Sequence, residues 1–223
     1  SRGLGDVYKR QILDAIEKLG DKADFEAKYG VKDKGVLMFA AGDGNHSLAT
    51  AKTCWEEIKK ELSEEEIKTH PARFALVELM NIHDETLEFE PIQRVIFETE
   101  PKKLLDELVA FYGAEYEDNG GQRIDYTYGG NEGSIYIKNT DSNLPVGTLQ
   151  KFLDKYLAEN GGKIDYIHGN DVVRNLAKAD NTIGFMVDSM EKNDLFTTVI
   201  KDGSLPRKTF SMGEAADKRF YLE

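Results

Sequence analysis

Cysteine is nearly absent from this sequence. Cys54 is the single one in 223 residues, so no internal disulfide can brace the fold, and a cytoplasmic, reducing compartment is the expected setting. Its place on an amphipathic segment reads as a packed thiol rather than a nucleophile. Positive charge is also scarce. Lys and Arg total 29 against 41 Asp and Glu, a formal net charge of −12. That balance argues against broad binding to nucleic acid or to an anionic membrane surface. No apolar run approaches the roughly 18 residues that cross a bilayer, so no membrane partner is expected. The Gly-Lys-Ser/Thr ending of a Walker A loop is missing. The four histidines show no His-x-x-x-His spacing and no zinc signature. Internal repeats and low-complexity linkers are absent as well.

The sequence has no initiator Met and no signal-peptide pattern. Ser1 to Gln11 (SRGLGDVYKRQ) resembles translated sequencing-adapter read-through. On that reading residues 1–11 are non-native and residues 12–223 are the C-terminal part of a longer protein. The alternative is a natural helix start, since Val7 and Ile12 continue into the following helical pattern.

With 40% hydrophobic and 31% charged residues, the chain has the composition of an ordinary globular domain with a real core. Apolar spacing predicts helices over Ile12 to Tyr29 with a break at Gly20, over His46 to Leu62, over Lys102 to Tyr112 behind Pro101, and onward from Pro145 to Gly161. Ser63 and Glu66 form a capping-box pair. Further helices are expected from Asn170 or Asp171 to Ala179 and from Asn193 or Asp194 to about Lys201. Strands are expected at Val36 to Ala41, Ala114 to Glu117, Ile124 to Tyr128, Ser134 to Lys138, Lys163 to Ile167 and Thr182 to Val187. Arg73 to Ile82 and Leu87 to Phe97 read as the two arms of an antiparallel hairpin. Strands and helices mix without a strict βαβ rhythm. The class is therefore α+β, with a mixed, largely antiparallel sheet and flanking helices. One domain is expected over 12–223, with 113–223 as a candidate sub-domain.

Chemistry concentrates first in Gly42-Asp43-Gly44-Asn45-His46-Ser47, between an apolar run and an amphipathic helix. Such a junction aims backbone N–H groups and the positive end of a helix at one spot, which suits a phosphate. Gly42 and Gly44 allow positive φ and close backbone approach. Asp43 is a candidate base or Mg²⁺ ligand. Asn45 can cap the helix and donate from its amide. His46 can hold phosphate or shuttle a proton, and Ser47 adds a hydroxyl. The competing reading is a plain capped turn, although one polar cap suffices for that and this turn has four polar side chains. A second group is Arg73, His83 and Asp84 at the hairpin tip, and Arg94. An Arg fork suits phosphate or carboxylate, and ordinary surface ion pairing is the plainer alternative. A third is Arg207 and Lys208 in a Pro/Gly-bounded loop that would close over an anion or simply lie in solvent.

Five segments together carry a resemblance: GDGNHSLATAK, HPARFALVELMNIHD, FEPIQRVIF, IDYIHG and PRKTFSMGEAADKRFYLE. They resemble the family called domain of unknown function 1015, often described as ParB-like. The resemblance implies a ParB/sulfiredoxin-like core and a chain longer at its N-terminus. It also implies that the turn corresponds to the superfamily's Gly/His/Arg phosphate-binding motif, whose bearers bind nucleotides and in some cases transfer phosphate, a free-serine kinase among them. Asp43, Gly44 and His46 match the turn. Ser47 stands where many relatives carry Arg, and Gln93 where relatives commonly carry His.

The expected function is binding of a nucleotide or phosphorylated metabolite, as a candidate small-molecule phosphotransferase. Asp43 and His46 would be the catalytic pair, with Mg²⁺ accompanying the nucleotide at Asp43. Gly42, Gly44, Asn45, Ser47, Arg73, His83, Arg94, Arg207 and Lys208 would bind the ligand. The alternatives are a ParB-like DNA-binding or partition protein, which the charge opposes, and a non-catalytic regulatory domain.

Overall fold

The structure, a computed structural model, describes residues 2–42, 44–140 and 142–212. The chain divides into two compact units, Ser1–Asn81 and Ile82–Glu223.

The first unit is helical. Helix α1 spans Arg2–Leu19 and α2 spans Lys22–Tyr29. The break falls at the expected glycine. Asp21 then caps α2 by accepting from the Asp24 amide at 2.8 Å. Helix α3 covers Asn45–Ile58 and tightens into a 3₁₀ turn at Lys59–Glu61. Helix α4 is Glu64–Thr69, with the Ser63–Glu66 capping box made in both directions, and a 3₁₀ turn follows at Pro71–Arg73. Phe25 is the one buried hydrophobic side chain among the described residues of this unit, and Tyr29 lies against it at 5.0 Å between ring centroids.

Three sequence expectations fail here. Val36 to Ala41 forms no strand, and neither does the stretch after Arg73. Phe74, Leu76, Val77, Leu79 and Met80 are all exposed, Leu76 fully. A two-faced apolar run reads as a buried strand, but a strand exists only where a neighbour accepts its ladder of hydrogen bonds. No described residue pairs with either segment. Cys54, expected as a packed thiol, is exposed, because α3 buries none of its side chains.

The second unit holds the sheet. In chain order it runs β1 Phe89–Phe97, α5 Pro101–Tyr112, β2 Gln122–Tyr128, β3 Asn131–Ile137, α6 Pro145–Asn160, β4 Lys163–His168, α7 Asn170–Leu176, β5 Ile183–Met186, α8 Lys192–Asp202 and β6 Phe210–Met212. Pro101 and Pro145 open their helices at a position where the missing N–H has no partner to lose. Gly113 stops α5 in the left-handed region at φ 62. The strand order is β3-β2-β5-β1-β4, with β6 added to β1, and each pairing is antiparallel. This is an α+β architecture. The expected hairpin of β1 with the preceding segment is replaced by these pairings. The expected strand at Ala114 to Glu117 reduces to a single bridge, Glu115 with Tyr136.

Successive residues of a strand point to opposite faces, and the core follows that rule. Ile96 and Phe185 face Leu104 and Leu108 of α5, Leu149 and Leu153 of α6 and Leu195 of α8. Their neighbours Val95 and Met186 face Val173 of α7. The sheet is thus covered by helices on both sides. No helix among the described residues is long and apolar enough to cross a membrane.

Candidate functional site

The turn before α3 keeps its glycines and the exposed polar side chains of Asn45, His46 and Ser47, but not the strand expected to lead into it, since Val36 to Ala41 forms none. Gly44 is the N-cap in the left-handed conformation, φ 72, and supplies no side-chain cap hydrogen bond. An L-residue would be strained there. Asn45, His46 and Ser47 form the first turn of α3 and are exposed, as is Gly42. Helical bonding begins with the Leu48 amide donating to Gly44 O at 2.9 Å. The start of this helix therefore carries an amide, an imidazole and a hydroxyl side by side, with glycine where a capping side chain normally stands. Asp43, the expected catalytic carboxylate and Mg²⁺ ligand, lies outside the described residues. Among the described residues no group of three or more His, Cys, Asp or Glu side chains is arranged to hold a metal.

Arg73 belongs to the same unit but is engaged locally. Its Nη1 donates to Lys68 O at 3.0 Å, closing the end of α4, and its guanidinium lies 5.6 Å from the Phe74 ring centroid. His70 caps the following turn by accepting from the Ala72 amide through Nδ1 at 3.2 Å, and its ring stacks on Trp55 at 5.7 Å.

The other candidates belong to the second unit. His83 is exposed in a turn. The Asp84 carboxylate beside it accepts from the Thr86 hydroxyl at 2.6 Å and the Thr86 amide at 2.9 Å. These bonds hold its pKa below the ordinary value and give Asp84 a turn-forming role.

Gln93 and Arg94 are adjacent in β1 and point to opposite faces of the sheet. Gln93 is buried, donating to Asn170 Oδ1 at 3.0 Å and Val187 O at 3.1 Å while accepting from the Val187 amide. Arg94 is fully buried. Its Nε donates to Gln150 Oε1 at 3.2 Å, its Nη2 to Arg207 O at 3.1 Å, and its Nη1 to Ile92 O. Every one of these acceptors is neutral. Burial pushes the Arg94 pKa down to about 10, with the nearby Arg207 charge adding to the effect, while Tyr166 and Asp154 oppose it.

Arg207 is paired in turn. Its Nη2 lies 2.7 Å from Asp154 Oδ1, and the Gln150 amide donates to the same oxygen at 2.8 Å. Both guanidiniums stand near the Tyr166 ring, at 5.3 Å and 6.0 Å from its centroid. Tyr166 and Asp154 raise the Arg207 pKa. The Tyr166 hydroxyl is buried and, among the described residues, has no hydrogen-bond partner at bonding geometry. Arg94 and Arg207, separate candidates in the sequence, are thus brought together, whereas Lys208 is exposed beside them in a positive-φ turn. Gln150, Asp154 and Tyr166 were not foreseen. The i, i+4 spacing of Gln150 and Asp154 on α6 was a readable signal. The register of Tyr166 opposite Arg94 was not.

The model of the family described as protein of unknown function (DUF1015) matches residues 8–156. The chain belongs to this family. The match runs through the Gly42–Ser47 turn, Gln93, Arg94, Gln150 and Asp154, whereas Tyr166 and Arg207 lie beyond the matched residues. No curated protein matches the chain. Similar solved structures include a free serine kinase variant in complex with ADP, at 14% identity and TM-score 0.45, covering 61% of this chain and 58% of that one. A free serine kinase variant in complex with AMP gives 16% identity and TM-score 0.43, covering 61% and 58%. A conserved hypothetical protein from Pyrococcus furiosus gives 16% identity and TM-score 0.45, covering 62% and 61%. The chain thus spans less than two thirds of the length of each of these structures.

Proposed function

We propose that this DUF1015 chain binds a nucleotide or phosphorylated metabolite at the Gly42–Ser47 turn and serves a small-molecule phosphotransferase of ParB-like type. One observation carries the reading. A 14-residue helix opens on Gly44, which has no side chain to cap it, with Asn45, His46 and Ser47 exposed in its first turn. Backbone N–H groups and the helix dipole favour an anion there. Phosphoryl transfer asks mainly for positioning and charge neutralisation, and an imidazole beside amide and hydroxyl donors suits both. Asp43 would hold Mg²⁺ carried in with the nucleotide. Mg²⁺ is commonly bound through one or two carboxylates, substrate phosphates and water, so a three-ligand protein cluster is not required. The resemblance of the turn to the superfamily's phosphate motif supports the same ligand.

Ser47, where many relatives carry Arg, favours a second reading, a domain that binds the ligand without turning it over. Calorimetry of the intact chain with ATP, ADP and CTP in the presence of Mg²⁺ tests the binding claim. His46→Ala and Ser47→Ala are expected to weaken binding by about 10-fold each, the loss of roughly one charge-assisted or strong hydrogen bond. Ser47→Arg is expected to tighten it. No heat with any of the three nucleotides, or unchanged affinity in both alanine variants, refutes the proposal. A turnover assay with candidate phosphate acceptors then separates the two readings.

A further inference from the structure

The second unit carries an open, two-lobed groove on the side of α5 and α6, with Phe111 shared by both lobes. The larger lobe, about 580 Å³, is lined by Phe111, Tyr112, Lys138, Asn139, Thr140 and Lys151. The smaller, about 290 Å³, brings in Phe152, Tyr156 and Lys155, with Glu107 and Glu159. Two features of the larger lobe bear on what it can take. The chain as a whole carries a net charge of −12, yet the described lining of this lobe contains two lysines and no carboxylate. Its aromatic wall is also accessible. Phe111, in the last turn of α5, is 42% exposed, although it touches Phe152 and Tyr112 at ring-centroid distances of 5.6 Å and 4.7 Å.

The fixed and the available groups can be told apart. Tyr112 Oη donates to Thr148 O at 2.9 Å, and Thr140 Oγ1 donates to Ser142 O at 3.1 Å. These two build the wall. Lys155 Nζ already sits 5.0 Å from the Phe111 ring centroid, and Lys151 has a neighbour of its own. Lys138, one residue beyond β3, and Asn139 are the polar groups left facing a ligand. An aromatic face beside an ammonium and an amide is the pairing that recognises a flat ring joined to an anion: the ring stacks, the charge is neutralised, and the amide fixes the orientation. The volume falls in the range of small-molecule sites, about 300–1,000 Å³.

We propose that this groove is a second ligand site, taking a ring-bearing anion of nucleoside-monophosphate size, with its ring on Phe111 and its phosphate at Lys138 and Asn139. It is independent of the reading at the Gly42–Ser47 turn. The groove is open, so binding is weak and falls with salt.

The test is an amide-resolved NMR titration of the whole chain with AMP, adenosine and inorganic phosphate at low and high salt. AMP is expected to shift the amides of Phe111 to Gly113 and of Lys138 to Thr140. Adenosine and phosphate alone should each bind at least about 5-fold more weakly, since each keeps only part of the stacking and charge contacts. Lys138→Gln, on an exposed side chain, and Phe111→Leu, which keeps an apolar side chain at the site, should each weaken AMP about 5-fold or more. His46→Ala should leave the shifts unchanged. The proposal is overturned if AMP moves none of these amides, or if phosphate alone reproduces the AMP effect. It is equally overturned if both groove variants bind as before, or if the shifts disappear in His46→Ala, which would assign them to the turn.

Discussion

Replacing Gly184 with alanine tests the packing of α7 on the sheet directly. Gly184 lies in β5 between Thr127 of β2 and Val95 of β1, in a strand whose four residues are all buried. A Cβ at this position would collide with Val173 Cγ1 of α7, and would approach Thr127 Cγ2 at 3.3 Å and Ala177 Cβ at 3.6 Å. The Gly184 backbone is not in the left-handed region, so the cost is steric and not conformational. Overpacking of this kind costs about 1–3 kcal/mol, offset by roughly 0.4–1 kcal/mol because alanine has less freedom than glycine in the unfolded chain. Val173→Ala alone opens a cavity and is expected to cost about 1–3 kcal/mol. In the double variant the new methyl occupies the space vacated by Val173 Cγ1. The two effects should therefore fall short of their sum by about 1–2 kcal/mol, a coupling of the size seen for touching residues. Urea unfolding followed by far-UV circular dichroism measures the three differences, with amide exchange in β5 as the local readout. Fluorescence is the wrong probe, because the single tryptophan, Trp55, belongs to the first unit. Additivity within about 0.5 kcal/mol would mean that Val173 does not limit the space over Gly184, and the packing argument would fail.

Arg94→Met should destabilise the second unit by about 1–3 kcal/mol, the cost of leaving buried neutral acceptors without their donor, and should speed tryptic cleavage after Arg207 and Lys208. If the urea midpoint falls while tryptic cleavage stays slow, Arg94 does not fasten the segment around Arg207. Ser63→Ala should fray α4 and move the Glu66 carboxyl back up, since the Ser63 hydroxyl and then the Ser63 amide hold it below the ordinary range. Glu66 is an acid with a depressed folded value, so its contribution to α4 is present above the ordinary carboxylate pKa and fades as pH falls through the folded one. An unchanged Glu66 titration in the variant, followed by NMR, would show that the cap is not the cause.

What the sequence revealed depended on how local the determinant is. The Ser63–Glu66 box, the prolines at 101 and 145, and the glycine at 161 act within a turn of where they stand, and each marked a helix end that the structure has. The alternation Ile124, Tyr126, Tyr128 marked β2 for the same reason. Val36 to Ala41 and Phe74 to Met80 misled because an apolar run states only that burial is favourable. It does not supply the second strand that would accept the hydrogen bonds. At the candidate site the glycine-rich helix start was readable. The setting of Arg94 was not. An arginine in an apolar strand looks like a surface residue, and its burial rests on partners 56 and 113 residues further along the chain.

The strand order also has a consequence for how the second unit comes into being. β5, spanning Ile183–Met186, lies in the middle of the sheet between β2 and β1. During synthesis β2 and β3 can close as a hairpin as soon as they emerge, but β1 must wait for β4 on one edge and β5 on the other. Until then a nine-residue strand with a largely buried pattern stays unpaired, which is the circumstance that favours slow folding and association between nascent chains. Shortening the chain before residue 183 would therefore remove the strand that joins the two halves of the sheet, leaving β1 and the β2–β3 hairpin without a common neighbour.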